Sequence, residues 1–137
     1  MTRNSPDDAT RRGTSDAEAI EGLLAYAQTG SRWGGVALRR AREAVARSRA
    51  LATEFPEHTV LLARSLRLTA RLLLKRGRAV EALPMAQEAA ALTRAMGGAP
   101  LVTSLMRLAE VYEALHRYSE AAATMAEADR ISPPEDT

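Results

Sequence analysis

Residues 66–89 read LRLTARLLLKRGRAVEALPMAQEA, and residues 105–128 read LMRLAEVYEALHRYSEAAATMAEA. Written one above the other, the two stretches carry the same pattern. Leu66, Thr69, Ala70, Leu73, Gly77, Ala82, Ala86 and Ala89 are each followed 39 residues later by Leu105, Leu108, Ala109, Tyr112, His116, Ala121, Met125 and Ala128. A large apolar residue every three or four positions marks one face of a helix. Alanines at fixed places let a second helix approach closely. A helix–turn–helix unit repeated at a fixed period cannot bury its apolar face alone and must stack on a neighbour.

Working outward, the same spacing predicts helix along most of the chain. Ser15 followed by Glu18 is a capping-box spacing that opens helix 1, with Ile20, Leu23, Leu24 and Ala27 as its apolar stripe. A turn through Gly30, Gly34 and Gly35 follows, with Trp33 as a plug between helices. Helix 2 spans about 36–54, with Leu38, Ala41, Val45, Ser48 and Leu51 or Ala52 inward. Pro56 separates it from helix 3, about 57–76, and Gly77 supplies the left-handed residue at that helix's end. Helix 4 covers about 79–96, with Pro84 expected to kink it or fray its first turn. Helix 5 runs from Pro100 to about 116, and helix 6 from 118 to 131, where Pro133 and Pro134 stop it. The polar residues 1–14 and 133–137 read as disordered tails. The remainder, 15–132, reads as one domain of three hairpins at about 15–54, 57–96 and 100–131.

Composition narrows the class. The chain of 137 residues contains no cysteine, which excludes disulfides and thiolate metal sites. No apolar run reaches the length of a membrane span, and the first residues lack a signal-peptide core. The expectation is a cytoplasmic protein with no membrane association. Eighteen of its nineteen basic residues are arginine, which fits a GC-rich genome. The net charge of +2 conceals an asymmetry. Residues 31–78 hold twelve basic and three acidic side chains, and residues 79–137 hold four and nine. Such separation bears on association rather than on fold.

The repeated pattern resembles the tetratricopeptide repeat, in a long variant of the kind found in short bacterial proteins. Leu105, Leu108, Ala109, Tyr112, Ala121, Met125, Ala128 and Pro133 fill its eight signature places. The middle unit fills seven, with Arg94 where the signature has Pro. The first is weaker, resting on Ile20, Leu23, Leu24, Ala27, Ala37 and Ala44. The resemblance implies an all-α, right-handed stack of three antiparallel hairpins, six helices in all. It also implies a protein-interaction scaffold or adaptor rather than an enzyme, with no cofactor and no metal.

By the same resemblance, the first helix of each hairpin lines a concave groove. That places Arg64, Arg67, Arg71 and Lys75 of helix 3 in the groove, with Leu74, Met106, Glu110 and Tyr26 beside them. The implied ligand is a protein or peptide segment, an acidic one being the kind these cations would suit. A guanidinium suits a carboxylate because it donates two parallel bonds to it. The competing reading is a charge lattice in which Glu18, Glu21, Glu110 and Glu113 neutralise these cations internally. Two other uses remain open. Arg39, Arg40, Arg42, Arg47 and Arg49 make a basic face on helix 2 for nucleic acid or another acidic surface, although stacking aromatics are few. The alanine-rich edge of helix 6 (Ala122, Ala126, Met125), with no closing helix after it, would permit weak dimerisation of an otherwise monomeric chain.

His58 and His116 fall at a helix start and in a turn, which suits caps rather than ligands. Glu110 and Glu113 read as an exposed face rather than a catalytic pair.

Overall fold

The computed structural model describes residues 6–29 and 35–131. Trp33, Gly30 and Gly34 of the first turn, and Pro133 and Pro134, lie outside the described residues. The fold is all-α. Six α-helices, α1 (Pro6–Thr29), α2 (Val36–Glu54), α3 (Thr59–Lys75), α4 (Ala79–Arg94), α5 (Gly98–Ala114) and α6 (Tyr118–Ile131), form three antiparallel hairpins. A 3-10 turn, Pro56–His58, precedes α3. No strand occurs among the described residues, and none of these helices is long and apolar enough to cross a membrane. The chain divides into two compact units within α3, between Ser65 and Leu66.

In the first unit α1 packs against α2. Ile20, Leu24 and Ala27 meet an inner face of α2 made by Leu38, Ala41, Ala44, Val45, Ser48 and Leu51, all buried. Removing such apolar surface from water contributes about 1.5–3 kcal/mol for each large side chain. Ser48 is tolerated there because its hydroxyl donates to the Ala44 carbonyl at 2.6 Å and lies 3.4 Å from the Ser65 hydroxyl.

Of the residues read as an N-terminal disordered tail, 1–5 lie outside the described residues, whereas 6–14 are helical: α1 begins at Pro6, nine residues before Ser15, and Ser15 is an exposed mid-helix residue. Proline at the first helical position followed by Asp7 and Asp8 is itself a start signal. Its advancing turns are held where Gly13 is buried against Phe55. A Cβ at Gly13 would stand 3.0–3.3 Å from that ring. Arg12 donates to Glu54 in the same place.

In the second unit α4 packs on α5, and α5 on α6. The period of the sequence is reproduced in the helix boundaries. Thr59 and Gly98, which begin α3 and α5, are 39 residues apart, and so are Ala79 and Tyr118, which begin α4 and α6. Ala70, Ala82, Ala86, Ala89 and Ala90 are completely buried, and Ala109, Ala121 and Ala128 nearly so. Here small side chains are what allows neighbouring helices to close. Met125, which holds a signature place, is 36% exposed instead. Pro84 does not interrupt α4, which is continuous over all 16 residues.

The turns at the ends of α3 and α5 are the same structure twice. Gly77 has φ 72° and His116 φ 60°. The Arg78 amide donates to the Leu73 carbonyl at 2.9 Å, and the Arg117 amide to the Tyr112 carbonyl at 2.8 Å. Gly77 and His116 donate to Leu74 and Glu113 at 3.0 and 2.9 Å. This pair of bonds is the Schellman closure, which requires a left-handed residue at that position. The following helix starts are clasped alike. Arg78 donates twice to Glu81, at 2.9 and 2.6 Å, and Arg117 twice to Glu120, at 2.6 and 2.7 Å.

Candidate functional site

The residues singled out from the sequence fall in both units. In the first, Arg64 donates through both terminal nitrogens to the Glu21 carboxylate of α1. This forked pair is one of the internal neutralisations that competed with ligand binding. Tyr26, in the last turn of α1, is 48% exposed and has the Arg40 guanidinium of α2 at 6.0 Å from its ring centroid. Both residues therefore have neighbours inside their own unit.

In the second unit, α3 carries Arg67, Arg71 and Lys75 at intervals of four, which puts them on one side of the helix. Their environments differ. Arg67 is half-buried, and its Nη1 donates to the Ser104 hydroxyl of α5 at 3.0 Å. Ser104 is itself fully buried and donates to the Pro100 carbonyl at 3.0 Å. Arg67 is thus fixed by its partner helix. Arg71 and Lys75 are exposed and have no ion-pair or hydrogen-bond partner among the described residues. Leu74 between them is half-buried, and Met106 on α5 is 48% exposed.

Glu110 does not reach α3. It pairs with Arg107 one turn earlier on its own helix. Glu113 and Glu18 are exposed and have no partner among the described residues. Of the lattice expected from the sequence, Arg64–Glu21 is the pair that forms. Among the described residues, none of the remaining acids of that lattice pairs with Arg71 or Lys75.

Elsewhere several arginines near helix ends are occupied. Arg94 of α4 donates to Glu127 of α6 at 3.1 and 3.2 Å. Those hydrogen bonds hold the Glu127 carboxyl below its ordinary value and raise the Arg94 guanidinium. Arg117 also lies 5.0 Å from the Tyr112 ring centroid. Arg107 is unusual: its side chain is only 21% exposed, and its Nε is buried without a hydrogen-bond partner. Its counterpart 39 residues earlier is the buried Leu68. His58 meets Phe55 edge to face at 6.3 Å, and His116 lies 5.8 Å from the Tyr118 ring. Both histidines are thus turn residues with aromatic neighbours.

Ser104 is the residue that sequence reasoning missed at this face. The available signal was its place 39 residues after Ser65, a second buried serine in the same register.

The chain matches no protein-family model, no curated protein and no solved structure.

Proposed function

We propose that this chain is a protein-interaction module of the tetratricopeptide type. In this reading the α3–α5 face of its second unit holds an acidic segment of a partner. The observation that carries it is a contrast among the cations. Arg64, Arg78, Arg94, Arg107 and Arg117 each already hold a carboxylate, whereas Arg71 and Lys75 stand exposed one turn apart with none among the described residues. Arg67, held by Ser104, would give the same row a fixed third donor. Leu74 and Met106 would add apolar contact beside the charges. A charge-assisted hydrogen bond to such a partner is worth about 1.5–3 kcal/mol.

The test is an array of acidic peptides probed with the full chain. The Arg71→Glu, Lys75→Glu double variant is expected to keep the helical circular dichroism, because exposed cations contribute little to folding. It is also expected to lose the peptides that the wild type retains. Arg67→Glu is the poorer test, since it would set a carboxylate beside buried Ser104. A folded double variant with the wild-type binding pattern would remove the α3–α5 face from consideration.

A further inference from the structure

We infer that this chain associates head to tail with a second copy of itself, α1 of one copy lying on the outer face of α6 of the other. The contact repeats one already present inside the second unit, where α5 packs on α4. On the α4 side Ala86 and Ala90 are completely buried. Their counterparts 39 residues later on α6 are Met125, 36% exposed, and Asp129, fully in the exposed class. Tyr118 and Ala122 are exposed along the same side. On the α5 side Ser104 and Val111 are completely buried. Ile20 and Leu24 hold in α1 the places that Leu105 and Ala109 hold in α5, so Ala19, Gly22 and Tyr26 answer to Ser104, Arg107 and Val111. All three are exposed, and a Cβ at Gly22 would meet nothing within 4 Å.

Both halves of one interface thus stand exposed on the same chain, which makes a second copy the occupant. The shapes alternate. Antiparallel packing in the manner of α4 and α5 sets Gly22 against Met125 and Tyr26 against Ala122, a large side chain meeting a small one each time. The charges agree as well. Arg12 meets Glu54 and Tyr26 meets Arg40, which sets Ala19 level with Arg47 of α2. Asp129, exposed and unpaired among the described residues, would come to that level. Arg47 lies 3.9 Å from Glu43, which Arg40 approaches to 3.2 Å, so two guanidiniums there share one carboxylate. The 14 residues of α6 make a strip about 21 Å long and 10–12 Å wide, about 200–250 Å² on each copy. A standard complex buries about 800 Å² per partner, so this association is weak. It uses neither Arg71 nor Lys75 and stands or falls apart from the α3–α5 face.

The experiment is sedimentation equilibrium of the full chain at concentrations up to about 1 mM. The weight-average mass is expected to rise with concentration. Gly22→Glu and Met125→Glu each spoil one half of the contact, and each should weaken self-association at least about tenfold. Mixed together, the two variants should pair again, because each keeps the half that the other lacks. That pairing is read as capture of fluorescein-labelled Gly22→Glu by unlabelled Met125→Glu. Arg71→Glu with Lys75→Glu should associate as the wild type does. All variants are compared at matched helical circular dichroism, and Ala122→Glu replaces Met125→Glu if that variant unfolds. A wild type that stays monomeric at about 1 mM, undiminished association of Gly22→Glu (the result of a two-fold α6 contact), or no pairing in the mixture would each overturn the inference.

Discussion

His116 occupies a left-handed conformation that costs a non-glycine residue about 1–2 kcal/mol, and Gly77 meets the same demand without that cost. His116→Gly is therefore expected to stabilise the protein by about 1 kcal/mol, read from the urea midpoint, less the small contact with Tyr118. Gly77→Ala should move the midpoint the other way by a similar amount. Arg107 invites the opposite exchange. It stands at the register of buried Leu68 with an unsatisfied Nε, and a buried donor without a partner costs about 1–3 kcal/mol. Arg107→Leu should raise the melting temperature, since the pair it gives up with Glu110 is half exposed on the carboxylate side. An unchanged melting temperature would show that Arg107 already relaxes into solvent. Ala109 tests the packing directly. It is 2% exposed, and Ala109→Leu is expected to destabilise by about 1–3 kcal/mol through overpacking.

Among the elements, α6 was legible to the residue, because a glycine-class turn position before it and two prolines after it leave no latitude. The α3–α4 and α5–α6 hairpins were legible from their period, which the helix starts reproduce. What escaped the sequence reading was the front of α1. Ala9, Gly13 and Ala17 bury too little to register as an apolar stripe, and the contact that holds Gly13 comes from Phe55, far along the chain. The same limit applies to the site. Four cations at helical spacing were visible, but their separate fates were not. Arg64 and Arg67 found partners on other helices, Glu21 and Ser104, and one-dimensional spacing does not report such neighbours. The α1 contact has a measurable outcome. Gly13→Leu should force the Phe55 ring aside and expose Arg11 and Arg12 to trypsin, with the core still resistant; a wild-type digestion pattern would argue that the ring moves freely. Pro84 leaves the Val80 carbonyl without its α-helical donor. Pro84→Ala should thus stabilise α4 by about 1–3 kcal/mol.

For the whole molecule, the clearest acid-linked contribution comes from Glu127. Its carboxyl is held below the ordinary 4.5 by the hydrogen bonds from Arg94. The stabilisation it gives is complete above that unfolded value and fades as the pH falls through the lower folded one. Both partners are substantially exposed, so the amount is at most about 1 kcal/mol. Glu127→Gln should lower stability at neutral pH and leave it unchanged in strong acid. Parallel curves at all pH values would assign the loss to packing instead. The duplicated turn has a different kind of consequence. The Arg78–Glu81 and Arg117–Glu120 clasps and the bonds around Gly77 and His116 coincide at a spacing of 39. Residues 73–81 and 112–120 are therefore interchangeable spare parts: a gene that swaps the two segments would ask the same backbone bonds of each sequence in the other's setting.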